Sequence, residues 1–313
     1  NLKRVSYGYH FSANPLITMS RYLGVQLYTF LIAFRYLFQK QTVFYINTLL
    51  PVGPALAGRM MGKKVIYHYH ENAFVKGAFY KILATLMQKL AHKIICVSQY
   101  QRSFLGRKRG VCVIPNALPK EFTSRLHPDA EAAFGRQTVL MLSSLKEYKG
   151  TREFIELANR LPQYKFVLVI NDTDKNIDKY LKDNNLTFVK GGGNLIIYSR
   201  QSDVIPFYNS ASLVINLTNS LFAVETFGLT TLEAMTNGLP VIVPTRGGIA
   251  EMVENGINGY KIDVQDLKNI TEQICRILEN RDLYSSLSAN ALKCSAKYHC
   301  SCTLYNLINS LEE

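Results

Sequence analysis

Two glutamates, a glycine-containing loop between them and a lysine upstream are the residues of this 313-residue chain whose types and spacing could do chemistry. Glu225 and Glu233 stand with seven residues between them, in the run Glu225-Thr226-Phe227-Gly228-Leu229-Thr230-Thr231-Leu232-Glu233. Thr230 and Glu233 have the spacing of a capping box, which predicts a helix starting near Thr230. Glu225 and Phe227-Gly228-Leu229 then form the loop entering that helix, and Gly228 permits close backbone approach to a ligand. N-terminal N–H groups and the helix dipole make such an entrance an anion site. Carboxylates flanking an anion site suit vicinal hydroxyls, so the expected ligand is a phosphate with sugar hydroxyls on either side, as in a nucleotide-sugar. Either glutamate alone would read as a cap or a surface charge. The longer string, running on through Asn237-Gly238-Leu239-Pro240-Val241 and Gly247-Gly248-Ile249-Ala250-Glu251, favours the ligand.

Lys149 precedes Gly150 at the head of a predicted helix. It is either a phosphate-binding cation or an exposed charge before that helix. In the first half, Ile66-Tyr67-His68-Tyr69-His70-Glu71 ends a predicted strand, and alternation puts His68 and His70 on one face. A His-x-His at a strand end can hold a metal, but no further Asp or His ligands stand at recognisable places, so no metal is expected. The six cysteines contain no CxxC pair, and Cys300-Ser301-Cys302 beside His299 has the wrong spacing for a closed zinc site. Reduced thiols are expected, with Cys96 and Cys112 in buried strands.

The elements that must position these residues alternate between strand and helix. Strands are predicted at Val43–Asn47, Lys64–His70, Lys93–Ser98 and Val111–Pro115, with helices at Pro54–Met61 and Gly77–Leu90 between them. A weaker pattern over Pro119–Gln137 reads as a linker. A second series follows, with strands at Thr138–Ser143, Lys165–Asn171, Leu186–Val189, Leu213–Leu217, Pro240–Pro244 and Tyr260–Ile262. Its helices are at Gly150–Leu161, Asn176–Asn184, Val204–Asn209, Thr230–Asn237, Ile249–Glu254 and Val264–Asn280. Alternation of this kind implies α/β folding with parallel sheets, and ligands bind at the carboxyl ends of such strands. The apolar run Tyr22–Phe38, interrupted by Gln26 and Arg35, is short of a clean membrane span. It reads as a buried helix, with a helix lying in a membrane interface as the alternative.

The Glu225–Glu233 string, followed by Gly-x-Pro-Val and Gly-Gly-x-x-Glu, resembles the retaining glycosyltransferases of family four, also called group 1. The resemblance extends from about Asn47 to the C-terminus and is most specific between Ser210 and Gly259. It implies the GT-B architecture, two Rossmann-like doubly wound domains facing a cleft. The implied domains are an acceptor-side domain at 1–135, a donor domain at 136–297 and a C-terminal helix at 298–313 packing back on the first domain. The family's opening strand and glycine-rich turn are not found, so the resemblance places the first βα unit before Asn1. Glu233 would bind the donor ribose hydroxyls. Glu225, Thr226 and the backbone of Phe227, Gly228 and Leu229 would hold the donor sugar. The run Leu140-Met-Leu-Ser-Ser-Leu-Lys-Glu-Tyr-Lys149-Gly150 resembles the family's diphosphate motif, with Lys149 as its lysine. Ser143 and Ser144 stand where Gly and Arg are expected, which removes a bidentate phosphate partner from position 144 and leaves Lys146 as a substitute cation. His70 would lie near donor sugar and acceptor, with His68 structural.

The implied catalytic set is thus His70, Lys149 and Glu225, and the donor-binding set adds Ser144, Thr226, Phe227, Gly228, Leu229 and Glu233. The nucleotide-sugar is a co-substrate, and no cofactor is expected. Its diphosphate would leave first, stabilised by Lys149 and the helix dipole, and the acceptor hydroxyl would attack the same face. The alternative is a catalytically inert nucleotide-sugar-binding or membrane-associated subunit. Charge adds a partner. Residues 1–135 carry 18 Lys and Arg against 4 Asp and Glu, net +14, whereas 136–313 carry 18 against 19, net −1. A cationic half without a nucleic-acid signature suggests an anionic membrane surface. The expected setting is cytoplasmic, peripheral at the inner membrane face, with a glycan or lipid-linked acceptor.

Overall fold

The computed structural model describes Ser6, residues 12–74, 77–106, 109–186 and 193–298, and Leu307. The chain divides into two compact units, Asn1–Ile114 and Pro115–Glu313.

The first unit runs α1 (Pro15–Ala33), β1 (Val43–Asn47), α2 (Val52–Met60), β2 (Lys64–Tyr69), α3 (Ala78–Leu90), β3 (Lys93–Cys96), α4 (Gln99–Ser103) and β4 (Val111–Val113). Its four strands pair in parallel in the order β1-β2-β3-β4. β2 and β3 are apolar runs buried on both faces, as parallel strands under helices require. Their Val65, Tyr67, Ile94 and Cys96 pack with Leu83 and Met87 of α3. Cys112, expected to be buried, is only half-buried on the last strand.

α1 departs from expectation. Only Ala33 is buried along its 19 residues, and Leu23, Leu27 and Leu31 are 58%, 61% and 60% exposed. The apolar run at Tyr22–Phe38 is therefore not a core helix. Its apolar residues are spread around the helix and not gathered on one side, so periodicity gave no face to bury.

The second unit runs α5 (Lys120–Thr123), α6 (Ala130–Arg136), β5 (Thr138–Ser143), α7 (Thr151–Arg160), β6 (Lys165–Ile170), α8 (Asp174–Asp183) and β7 (Leu195–Tyr198). It continues with α9 (Ile205–Ser210), β8 (Leu213–Ile215), α10 (Leu229–Thr236), β9 (Val241–Val243), α11 (Gly248–Glu251), β10 (Gly259–Lys261), α12 (Leu267–Glu279) and α13 (Arg281–Ser295). The six strands are parallel in the order β10-β9-β8-β5-β6-β7. The chain winds outward from β5 through β6 to β7, then returns to β5's other side and winds through β8 and β9 to β10. The topological switch point lies between β5 and β8.

Residues 119–137, expected as a linker, instead form α5 and α6 and are tied into the second unit. Ser212 Oγ donates to Ala133 O at 2.6 Å, and Gln137 Nε2 donates to Leu278 O at 2.9 Å. The boundary therefore falls before this segment, at Ile114/Pro115, and not at 135/136. The strand that pairs with β6 is Leu195–Tyr198. Most of the expected strand Leu186–Val189 lies outside the described residues, as does nearly all of the expected helix 298–313. α13, which the sequence reading did not anticipate, is started by Asn280, whose side chain accepts from Leu283 N.

Candidate functional site

The chemistry expected of the second unit gathers at the carboxyl ends of β5 and β8. β5 ends at Ser143, and a turn through Ser144 leads to Lys149, with Lys146 N donating to Ser144 O at 2.8 Å. Gly150 then begins α7 with φ 79°, and a Cβ there would lie 2.5 Å from Leu217 O at the end of β8. No other residue type fits both that conformation and that contact. The glycine thus lets the lysine loop close onto the neighbouring strand end. Lys149 Nζ makes an ion pair with Glu225 Oε1, and Thr218 Oγ1 donates to the same oxygen at 3.1 Å. Both ion-pair side chains remain about a quarter exposed, so a ligand can reach them. Lys146 and Lys149 each place Nζ 5.8 Å from the Tyr148 ring centre, so two cations flank that aromatic.

α10 starts one residue earlier than expected, at Leu229, with Gly228 as its cap. Gly228 has φ 119°, and a Cβ on it would press into Ile249 at 2.6 Å. The predicted capping box does not form, because Thr230 is already inside the helix and no side chain caps it. The first-turn N–H groups lack intrahelical acceptors and keep their positive end for a ligand. Phe227 turns its ring inward against Tyr298, at 5.8 Å between centroids, leaving its backbone as the part that a donor could touch. The loop is held by Gly248 N, which donates to Glu225 O at 2.8 Å.

Glu233, freed from capping, points its carboxylate at Tyr208, whose hydroxyl donates to Glu233 Oε2. Burial raises the Glu233 pKa above the usual glutamate range, and the tyrosine hydrogen bond partly opposes this. Asn237, just beyond α10, donates through Nδ2 to Tyr208 O at 3.0 Å. α9 therefore clamps the helix carrying Glu233 at two points. A recess of about 450 Å³ nearby is lined by Tyr148, Arg152, Tyr180 and Asn219, and none of Lys149, Glu225 or Glu233 lines it.

The first unit holds His68 and His70 at the end of β2, with ring centroids 4.2 Å apart as the shared face requires. Asn47 Oδ1, at the end of β1, accepts from His70 Nε2 at 2.9 Å, which places a proton on that nitrogen. His68 Nδ1 meets Tyr45 Oη at 2.5 Å. Glu71 accepts from Leu49 N at 3.1 Å and from His70 N at 3.3 Å, fixing the strand ends around the histidines. Gln101 Nε2 donates to Glu71 O at 3.0 Å. Ser98 is a helix cap, its Oγ accepting from Gln101 N. Among the described residues no group of three His, Cys, Asp or Glu side chains is gathered as a metal site.

Burial, reinforced by repulsion from His70, lowers the His68 pKa to about 4, and burial lowers that of His70 as well. Between pH 6.5 and about 4 the unfolded chain carries a proton on residue 68 that the folded chain rejects. Stability is therefore complete above that window and is lost as pH falls through it. We expect an NMR titration of the His68 ring with its midpoint near 4, and a melting temperature that declines across the window less steeply in His68→Gln. A ring titrating at 6.5 would contradict the burial assigned to it.

Sequence reasoning missed Thr218, Tyr208, Asn47 and Glu71. Thr218 and Asn47 had a usable signal, since both stand at the carboxyl ends of predicted strands. Tyr208 had none, because a tyrosine in a short apolar helix reads as core.

The fold is shared with solved structures. A chain of Anabaena HepE in complex with UDP and glucose superposes with a TM-score of 0.75 at 20% identity, covering 97% of this chain and 84% of that one. The sucrose-phosphate synthase of Thermosynechococcus elongatus gives 0.73 at 17%, covering 97% and 80%. Both matches are to the GT-B fold. In sequence, an uncharacterized glycosyltransferase of Methanocaldococcus jannaschii is 27% identical over 229 residues, 72% of this chain and 59% of that protein. A Campylobacter jejuni N,N'-diacetylbacillosaminyl-diphospho-undecaprenol alpha-1,3-N-acetylgalactosaminyltransferase is 25% identical over 239 residues, covering 72% and 60%. The chain thus spans about three fifths of the length of these two relatives. The family described as Glycosyl transferases group 1 matches residues 124–293, which takes in α6 through most of α13 and every donor-side residue discussed above. With more than half of its length matched, the chain belongs to the glycosyl transferases group 1 family.

Proposed function

We propose that the protein is a retaining glycosyltransferase that moves a sugar from a nucleoside-diphosphate donor to a glycan or lipid-linked acceptor, working peripherally at the cytoplasmic face of a membrane. The observation that carries this reading is the Lys149–Glu225–Thr218 cluster at the β5/β8 switch point, in the same unit as a helix whose N-terminus is capped by a glycine alone. Lys149 and the start of α10 hold the diphosphate and take up the charge that develops as it leaves. Glu225 and the backbone of Phe227–Leu229 orient the sugar ring, and Glu233 receives the ribose hydroxyls. On the first unit, His70, whose pKa burial lowers, is the group proposed to hydrogen-bond the acceptor. The lipid-linked acceptor is favoured by the C. jejuni relative, whose name specifies an N,N'-diacetylbacillosaminyl-diphospho-undecaprenol. UDP-sugars are the first donors to try, since HepE binds UDP and glucose.

A panel of nucleotide-sugars, assayed for slow release of nucleotide with Glu233→Ala in parallel, tests the reading. Release from one donor, weakened by the substitution, names the sugar. Binding without release, even with lipid-linked acceptors supplied, would make the protein an inert binding subunit. Failure to bind any nucleotide-sugar would sink the donor site.

A further inference from the structure

The recess beside the donor cluster has a chemistry of its own. Its walls come from residues 147–222, inside the second unit and inside the stretch matched to the family. Two loops divide their residues between cluster and recess. In the loop after β5, Lys149 pairs with Glu225, while Tyr148, one residue earlier, lines the recess. In the loop after β8, Thr218 bonds to Glu225, while Asn219, one residue later, lines the recess. Asn219 N donates to Tyr148 O at 2.7 Å, which ties the two loops together.

The loop after β8 also presents an aromatic ring. Asn219 Oδ1 accepts from Leu221 N at 3.0 Å, and Asn219 O accepts from Phe222 N at 3.1 Å and from Ala223 N at 3.0 Å. That tight turn holds Phe222 at the wall of the recess with 73% of its surface exposed. Tyr148 and Tyr180 bring two more rings to the lining. Such rings pack against the flat apolar face of a ligand.

The rest of the lining is polar and held in place. Arg152 Nη2 donates to Asn184 O and to Asn184 Oδ1, both at 3.3 Å, and Asn184 Nδ2 donates to Tyr180 O at 2.9 Å. Glu147 and Glu153 add carboxylates. Glu153 Oε2 is buried and has no hydrogen-bond partner among the described residues. A buried acceptor in that state is costly, and a ligand hydroxyl would satisfy it. These charges surround the Tyr180 hydroxyl: burial raises its pKa, Arg152 opposes the rise, and Glu153 and Glu147 add to it.

Which ligand fits follows from this mixture. Carboxylates only accept hydrogen bonds and a guanidinium only donates them, so a hydroxyl, which does both, suits the wall. Two carboxylates against one guanidinium give the lining a net charge of −1, which repels a phosphate. The same charges exclude an acyl chain. A pyranose offers hydroxyls around its edge and a C–H face for an aromatic ring. At about 450 Å³ the recess has the size of a small-molecule site.

We propose that this recess is a carbohydrate-binding subsite, which holds a neutral pyranose residue apart from the donor site. It rests on the proposed function only in taking that residue to belong to the acceptor or product glycan.

Saturation-transfer NMR with maltose, cellobiose, lactose and N,N'-diacetylchitobiose, each at up to about 10 mM and without any nucleotide, tests it. At least one of these sugars should bind, with a Kd of about 1 mM. Phe222→Ala should weaken that binding about 3–10-fold. Glu153→Gln, which keeps the shape and removes the charge, should weaken it about fivefold. Phe222 is exposed and outside the donor site, so its replacement should leave circular dichroism and UDP binding unchanged. Glu225→Gln should leave sugar binding unchanged. Failure of all four sugars to bind overturns the proposal. Sugar binding that Phe222→Ala and Glu153→Gln both retain, or that Glu225→Gln abolishes, puts the sugar elsewhere and also overturns it. Uridine binding that Phe222→Ala removes, with the sugars rejected, would give the recess to a nucleobase instead. Nucleotide binding measured in parallel separates the two readings. UDP bound with every sugar rejected ends the subsite alone, and sugars bound with every nucleotide-sugar rejected ends the donor site alone.

Discussion

Replacing Lys149 by alanine is expected to lower turnover by about 10²–10³-fold, the loss typical of removing one group that stabilises developing negative charge. Before a donor arrives, the Lys149 ammonium is neutralised by Glu225, and Thr218 fixes the shared carboxylate oxygen. Under the proposed function a nucleotide-sugar takes over both ends of that ion pair, with phosphate oxygens replacing Glu225 around Nζ and a sugar hydroxyl replacing Nζ at Glu225. The two single substitutions should therefore separate. Lys149→Ala weakens binding of the free nucleoside diphosphate and slows turnover. Glu225→Gln leaves the ammonium without a competitor, so the free diphosphate should bind several-fold more tightly while sugar transfer falls. Lys149→Arg keeps the charge but not its compact placement, and about a tenfold loss is expected from it. Calorimetry with the diphosphate, read beside initial rates, gives both quantities. Equal diphosphate affinity in Lys149→Ala and the parent protein would refute the phosphate role. Because the residues share one network, the double variant should cost less than the two singles combined.

The legibility of this site in the sequence was uneven, for physical reasons. Thr138–Ser143 and Val43–Asn47 were read to the residue because they are short apolar runs with sharp polar ends. The Glu225–Glu233 string placed the loop and helix, but the start of α10 was misread by one residue. Thr230 offered a hydroxyl at capping spacing, whereas the fold needed Gly228 at φ 119° pressed against Ile249. That requirement comes from packing between α10 and α11 and has no local signature. The same packing released Glu233 to Tyr208, a contact between residues 25 apart in sequence. α1 was misread because an apolar stretch without periodicity gives a segment's hydrophobicity but not what covers it.

Under the proposed function, Glu233→Ala is expected to raise the donor KM by about 100-fold or more with a much smaller change in kcat, because hydrogen bonds from two ribose hydroxyls to a charged carboxylate contribute about 1.5–3 kcal/mol each and would form before the sugar moves. The pH dependence makes the claim specific. The carboxylate must be ionised to accept from both hydroxyls, and burial holds its pKa above the usual glutamate range. Donor affinity should therefore weaken as pH falls through that raised pKa, at higher pH than an exposed glutamate would give. Tyr208→Phe removes the one hydrogen bond that pulls the pKa down. The acid limb of kcat/KM for the donor should then move to higher pH, while the alkaline side changes less. A tyrosine that only filled core space would lower stability and leave the limb in place. An acid limb at the same pH in Tyr208→Phe and the parent protein would therefore remove the clamp from the mechanism and leave it a packing contact.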